Sequence, residues 1–144
     1  MVLKPRILIV DDEERFRKTL GKRLMERELD IETAGSGEEA INLVKNKLFD
    51  VIILDVKMPG LDGVETLREL KKISPLVEVI MLTGHASVDS AIEGMRLGAY
   101  EYLMKPCNID ELLEKVNGAY QQKQEREERI RQAEIRRMVA RSPS

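Results

Sequence analysis

Four short apolar segments constrain the fold of this chain most, because each one runs directly into a charged or hydroxyl-bearing residue. Two of them, residues 7–10 and 51–54, are continuously apolar, which is typical of strands buried on both faces of a parallel sheet. The other two segments are residues 77–82 and 102–104. The residues at the ends of the four segments are Asp11 with Asp12, Asp55, Thr83, and Lys105 with Pro106. Since the carboxyl ends of parallel strands share one edge, where ligands bind, we expect these side chains to meet in one pocket.

Strand and helix patterns alternate along the chain. The alternation of polar and apolar residues over 30–34 predicts a half-exposed edge strand. Ser36, Ser87 and Asn108 stand where helix N-caps are expected, each before a segment with apolar residues at helical spacing. Five successive strand–helix units predict an α/β fold, a doubly wound five-stranded parallel sheet with helices on both faces.

Composition excludes several classes of protein. A net charge of −2 argues against direct binding of nucleic acid, and the single cysteine, Cys107, excludes an internal disulfide. No apolar run approaches the roughly 20 residues of a membrane-spanning helix, and the amino terminus does not resemble a signal peptide. We therefore expect a soluble cytoplasmic protein without a membrane partner.

The carboxyl-terminal part of the chain differs from the rest in charge. From Tyr120 onward, seven Lys or Arg against four Glu give +3, whereas residues 1–119 carry −5. We expect one domain over residues 1–120 and a charged extension over 121–144. The extension is interpreted either as a long helical linker with weak coiled-coil potential or as a disordered tail. Ser142-Pro143-Ser144 has the composition of a linker to a further domain.

The strand-end residues form a set suited to phosphoryl chemistry. Two adjacent carboxylates and a third after a neighbouring strand repel one another, which raises at least one carboxyl pKa, and a divalent cation relieves this repulsion. Oxygen-only ligands suit Mg²⁺, and no His or Cys lies close in sequence to favour zinc. An ammonium and a hydroxyl can neutralise or hydrogen-bond phosphoryl oxygens, and one carboxylate can act as the nucleophile.

The chain resembles the receiver domain of bacterial two-component response regulators over about residues 7–120. Each motif alone is weak, but their joint order is specific. The motifs are Asp11-Asp12, Asp55 followed by Met58-Pro59-Gly60 and Asp62-Gly63, Thr83-Gly84, Tyr102, and Lys105-Pro106. The resemblance implies a flavodoxin-like fold that accepts a phosphoryl group from a sensor histidine kinase.

The resemblance also implies a metal site and a phosphoacceptor. Asp55 is implied to be the phosphoacceptor. Asp12, Asp55 and the backbone carbonyl of Lys57 are implied to bind Mg²⁺, while Asp11 holds a metal-bound water.

Further residues are implied to sense the phosphoryl group. Thr83 and Lys105 contact it, and Thr83 acts together with Tyr102 as a conformational switch. The peptide bond between Lys105 and Pro106 is implied to be cis. His85 is either a gate over the phosphoryl group or a solvated loop residue, and the Lys57 side chain is a candidate to tune the lifetime of the phosphate.

The segment over residues 98–106 is most similar to receivers of enhancer-binding transcriptional activators. This resemblance implies an output such as transcription. The charged extension that follows the last helix suggests a phosphorylation-linked homodimer. The chain has no Gly-x-x-x-x-Gly-Lys loop, so we expect no ATPase. We also expect no enzyme activity beyond promoting its own phosphotransfer and dephosphorylation.

Other functions remain open at this point. A phosphatase of the haloacid-dehalogenase type also uses an aspartyl phosphate. Such enzymes have an Asp-x-Asp motif after the first strand, whereas the two acids here are adjacent. Gly35 and Gly37 match the Gly-x-Gly-x-x-Ala pattern of dinucleotide sites, with a tight turn as the simpler interpretation. A degenerate receiver that only binds partners is disfavoured by the intact set of acids.

Overall fold

The computed structural model describes residues 4–141 of the chain. Within this range, five strands alternate with five helices, which confirms the predicted repetition. Their bounds in chain order are β1 Arg6–Val10, α1 Glu14–Met25, β2 Asp30–Ala34, α2 Gly37–Asn46, β3 Val51–Leu54, α3 Gly63–Ile73, β4 Glu78–Thr83, α4 Val88–Arg96, β5 Glu101–Met104 and α5 Ile109–Arg141.

The five described strands form one parallel sheet in the order β2-β1-β3-β4-β5. β2 lies at an edge, as its alternating sequence predicts, and every residue of the central strand β3 is buried. The doubly wound α/β class is therefore confirmed. The chain reverses its direction across the sheet after β2, and the carboxyl ends of β1 and β3 flank that switch point, where such folds bind ligands.

Three strands differ by one residue from the segments expected: β1 and β5 begin one residue earlier, and β4 is shifted one residue later. β1 begins at Arg6 because the carbonyl of Arg6 accepts a hydrogen bond from the amide of Asp50, at 2.8 Å. β4 begins at Glu78 because the amide of Val77 donates to the carbonyl of Ser74 in a turn. Local hydrogen bonds, rather than apolar character, decide where β1 and β4 begin.

Two apolar layers cover the sheet. On one face α2 and α3 pack against β1, β3 and β4, and on the other face α1 and α5 do so. Aliphatic side chains supply most of both layers, in keeping with an aromatic content of 3%. The sheet is therefore buried on both faces, and its two ends are the parts open to polar chemistry.

The predicted caps lie at the starts of their helices. Ser36 accepts a hydrogen bond from the amide of Glu39, and Ser87 accepts one from the amide of Ser90, both at 3.1 Å. Asn108 accepts one from the amide of Asp110 at 2.7 Å. These bonds satisfy amides that have no partner within their own helix.

The last helix is long. α5 runs without interruption from Ile109 to Arg141, so the part of the extension that is described is helical. The linker-like Ser142-Pro143-Ser144 lies outside the described residues. No helix within residues 4–141 is both long enough and apolar enough to cross a membrane.

Candidate functional site

The structure brings the strand-end residues together at one edge of the sheet. Carboxylate oxygens of Asp11, Asp12 and Asp55 all lie within 4.8 Å of one another. Asp11 and Asp12 follow β1, and Asp55 follows β3, its neighbour in the sheet. Because parallel strands expose their carboxyl ends on one side, the sequence order alone is enough to assemble this cluster.

Lys105 contributes a positive charge to the cluster. Its ammonium lies 2.6 Å from Oδ2 of Asp11, and both side chains are largely buried. The other Asp11 oxygen accepts a hydrogen bond from the amide of Glu13 at 2.9 Å. The same ammonium lies 3.8 Å from the centroid of the Phe16 ring, which is within range of a cation–π contact. The lysine is thus held in place by one carboxylate and one aromatic face.

Asp55 has a carboxylate oxygen whose hydrogen-bonding capacity is not used by the described residues. It is 3% exposed, and its Oδ1 has no hydrogen-bond partner among residues 4–141. Burial raises the pKa of Asp55, and the neighbouring charge of Asp11 raises it further. A buried carboxylate oxygen without a partner is costly, so it marks a place where a cation or a reacting group can bind.

The backbone around Asp55 is tightly packed. A side chain on Gly63, the first residue of α3, would collide with the carbonyl of Asp55 and the backbone of Val56. The amide of Gly63 donates to the carbonyl of Val56 at 2.7 Å. The glycine therefore lets the start of α3 approach the backbone of Asp55 and Val56 closely.

An open pocket of about 410 Å³ lies over Asp55. Its volume is large enough for a phosphoryl group with a hydrated cation. Its lining residues are Asp12, Glu13, Asp55, Lys57, Met58, Pro59 and His85. Lys57 and His85, the two residues considered for control of phosphate lifetime, are therefore both at the mouth of the site.

Thr83 and Tyr102 lie on adjacent strands, Thr83 at the end of β4 and Tyr102 within β5. Thr83 is fully buried, and its Oγ1 accepts a hydrogen bond from the amide of His85 at 3.0 Å. The Tyr102 hydroxyl lies 2.7 Å from Oγ of Ser90 and 3.4 Å from the amide of Ser87. The tyrosine thereby connects β5 to the beginning of α4.

The peptide bond between Lys105 and Pro106 is cis, as the resemblance implies. The amide of Lys105 donates to the carbonyl of Thr83 at 2.8 Å, so the strand pairing continues up to the lysine. The hydrogen bond from the Lys105 amide places Lys105 and Thr83 side by side at the ends of adjacent strands.

The glycines at 35 and 37 do not favour a dinucleotide site. A side chain on Gly37 would collide with Oγ1 of Thr66 and would lie 3.1 Å from the carbonyl of Leu61. Gly37 thus allows the start of α2 to approach α3 closely, which is a packing role. The dehalogenase alternative is not favoured either, because the two acids after β1 are adjacent and the third follows β3.

Three contacts of the site were not predicted from the sequence. Phe16 fitted the apolar stripe of α1 and gave no sign of contacting an ammonium. Glu13, whose Oε1 lies 3.8 Å from the Lys105 ammonium, was not distinguished from other surface acids. Ser90 could have been recognised only through its spacing of three from the cap residue Ser87, which places both hydroxyls on one turn.

The donor set is that of a hard cation. Three carboxylates supply only oxygen atoms, one of them without a partner among the described residues, and this combination fits Mg²⁺ better than zinc. With Lys105 and Thr83 alongside, the site can bind a group that carries several negative oxygens.

Comparison with known proteins agrees with this geometry. Residues 7–117 match the family described as "Response regulator receiver domain". The DNA-binding transcriptional regulator NtrC of Klebsiella pneumoniae is 36% identical over 120 residues, which cover 83% of this chain and 26% of that protein. The chain thus spans about a quarter of the length of the curated relatives it matches.

Solved structures extend the similarity to three dimensions. A CheY-like receiver domain protein from Methanospirillum hungatei JF-1 is 31% identical with a TM-score of 0.83, covering 86% of this chain and 99% of its own. The beryllofluoride-activated NtrC4 receiver domain dimer is 40% identical with a TM-score of 0.77, covering 82% of this chain and 98% of its own. With the family match extending over most of its residues, the chain belongs to the family of response regulator receiver domains.

Proposed function

We propose that this chain accepts a phosphoryl group on Asp55 from the phosphohistidine of a sensor histidine kinase. The observation that carries the proposal is the buried Oδ1 of Asp55, which lacks a hydrogen-bond partner among residues 4–141 and faces other charged groups. In the transfer, this carboxylate forms a bond to phosphorus while the bond from phosphorus to the histidine nitrogen breaks. The electron pair of the broken bond stays on the imidazole.

Asp11, Asp12, Asp55 and the backbone carbonyl of Lys57 are proposed to hold Mg²⁺. The bound ion neutralises negative charge on the phosphoryl oxygens and on the acids. Asp12 is exposed whereas Asp11 and Asp55 are buried, so the cluster is open to solvent on one side. That opening suits an ion that keeps several of its water ligands.

Lys105 and Thr83 are proposed to detect the phosphoryl group. In the unphosphorylated chain the Lys105 ammonium pairs with Asp11. A phosphoryl group on Asp55 adds negative charge nearby and attracts that ammonium. Thr83 is adjacent on β4, and its hydroxyl can donate to a phosphoryl oxygen while still accepting from the amide of His85.

Tyr102 is proposed to carry the change to the surface. A movement of Thr83 opens or closes space beside the tyrosine, whose hydroxyl bonds to Ser90 of α4. The neighbouring surface of α4 and β5 exposes four large apolar side chains, those of Val88, Ile92, Met95 and Met104. We propose that this surface forms a homodimer when Asp55 is phosphorylated, with regulation of transcription as the output.

The chain is proposed to catalyse no turnover of other substrates. It promotes only the arrival of its own phosphoryl group and the hydrolysis of that group by water. Lys57 and His85 line the pocket over Asp55, and their side chains are candidates to set the phosphate lifetime.

Beryllofluoride, which imitates a phosphoryl group on aspartate, tests the dimer proposal. We expect light scattering to record a monomer without beryllofluoride and a dimer with beryllofluoride and Mg²⁺. Ile92→Ala, which leaves Asp55 intact, should weaken the dimer while preserving the rise in melting temperature caused by the ligand. An unchanged mass for the full chain at high protein concentration would refute the dimer and leave the phosphoacceptor role standing.

A further inference from the structure

The amino-terminal edge of the sheet, opposite the aspartate cluster, contains two buried carboxylates. Asp50 directly precedes β3, and Glu78 is the first residue of β4. Asp50 is 9% exposed and Glu78 is 1% exposed. Burying a carboxylate costs free energy unless its oxygens are paired, so the partners of these two side chains matter for the fold.

Within residues 4–141, the side chains that hydrogen-bond to these two acids come from α5 beyond Tyr120. Glu78 accepts from Gln122 Nε2 at 2.9 Å and from Arg126 Nη1 at 2.8 Å. Asp50 Oδ1 accepts from Lys123 Nζ at 3.1 Å, while its Oδ2 accepts from the backbone amide of Arg6 at 2.8 Å. The family match ends at residue 117, so it includes the acids and none of these helix partners.

The three helix partners continue the buried stripe of α5. Val116 and Ala119 are buried against the sheet. Gln122 and Lys123 follow Ala119 at spacings of three and four, and Arg126 follows at seven, so all lie on one side of the helix. An apolar stripe therefore becomes a polar one at the point where α5 passes the end of the sheet, and the sheet supplies the complementary charges there.

The length of the helix makes this contact important. An isolated, mostly polar helix in water is marginally stable, so contacts with the rest of the domain are needed to fix its direction. Past residue 130 every described residue of α5 is exposed. Residues 122–126 are where α5 makes side-chain hydrogen bonds to the amino-terminal end of the sheet.

We propose that Asp50 and Glu78 form a base anchor, a docking site for residues 122–126 that fixes the direction in which α5 leaves the domain. Asp50 and Glu78 are positioning residues for the extension, and receiver and extension move as one rigid body. The inference is independent of phosphorylation, because it requires only contacts at the end of the sheet opposite Asp55.

Spin-label distances on the full chain test the anchor. Labels are placed at Leu48→Cys and Arg137→Cys, two exposed positions, in a Cys107→Ser background. Excess unlabelled protein ensures that only distances within one chain are recorded. We expect a narrow distance distribution, and Glu78→Gln should broaden it at least about twofold because Arg126 loses its charged partner.

Two further variants complete the test. Glu134→Gln makes the same chemical change at an exposed position farther along α5, and it should leave the distribution narrow. If Glu78→Gln does not fold, the double variant Lys123→Gln with Arg126→Gln takes its place, since both side chains extend from the helix surface. Equal widths for the wild type and for every folded anchor variant would overturn the proposal.

Discussion

At the scale of single residues, Asp55 and Lys105 determine the charge balance of the site. The ammonium of Lys105 pairs with the carboxylate of Asp11, while Asp55 keeps one buried oxygen without a partner among the described residues. The unphosphorylated site therefore contains more negative charge than it neutralises. This imbalance destabilises the fold locally and favours any ligand that supplies positive charge.

Replacing Asp55 by Asn should stabilise the chain at neutral pH in the absence of Mg²⁺. The pKa of Asp55 is raised by burial and by Asp11, so ionised Asp55 opposes folding. A raised folded-state pKa gives stability that is present below the unfolded pKa and lost as pH rises through the folded pKa. We expect Asp55→Asn to gain roughly 1 kcal/mol in urea unfolding at pH 7. The gain should shrink as pH falls towards about 4; a loss of stability at pH 7 would contradict this.

Phe16 should improve the binding of a phosphoryl analogue through Lys105. Its ring lies under the ammonium at 3.8 Å and restricts where that charge can go. Phe16→Leu keeps apolar volume but removes the aromatic face, and we expect beryllofluoride affinity to fall about two- to fivefold. Phe16→Trp is the matched control and should retain affinity. Equal affinity in Phe16→Leu and wild type would assign the ring to packing alone.

At the scale of elements, strand positions followed from the sequence and long-range contacts did not. β2 and β3 have the predicted bounds because alternation and continuous burial are local patterns. Glu78 was included in an apolar strand segment, and nothing local indicated that its partners lie more than forty positions later. In the same way, the strand-end acids were predictable from fold topology, whereas the contact of Phe16 with Lys105 depends on a side-chain direction that spacing does not determine.

The close approach of α2 and α3 should be sensitive to Gly37. Gly37→Ala places a methyl group against Oγ1 of Thr66, and we expect a loss of about 1–3 kcal/mol in urea unfolding. Thr66→Ala removes that atom, so Gly37→Ala should cost less stability in the Thr66→Ala background than in the wild type. Additive losses in the two variants would mean that the steric contact is not the cause.

For the molecule as a whole, the two ends of the sheet carry different groups: the aspartate cluster lies at the carboxyl end and the base anchor at the amino end. β3 lies between Asp50 and Asp55, and β4 begins at Glu78 and ends at Thr83. The same two strands therefore connect the base anchor to the aspartate cluster. Stability of the receiver and order in the extension are expected to depend on each other, although the family match covers only residues 7–117.

Truncation measures where the folding unit ends. A chain ending at Tyr120 lacks Gln122, Lys123 and Arg126, so Asp50 and Glu78 lose their helix partners. We expect it to be about 2 kcal/mol less stable than the full chain in urea unfolding. A chain ending at Arg129 keeps the partners and should match the full chain within about 0.5 kcal/mol. Equal stability of the full chain and both truncated chains would place the end of the folding unit at residue 120, where the charge composition changes.

Phosphorylation of Asp55 itself is measured most directly by intact mass after incubation with acetyl phosphate. In the presence of Mg²⁺ we expect one phosphoryl group per chain, mapped to Asp55 by peptide analysis. Removal of Mg²⁺ with a chelator should abolish the adduct, and Asp55→Asn should not acquire it. A wild-type chain that gains no phosphoryl group with Mg²⁺, or an Asp55→Asn chain that gains one equally well, would contradict the assignment of Asp55 as the phosphoacceptor.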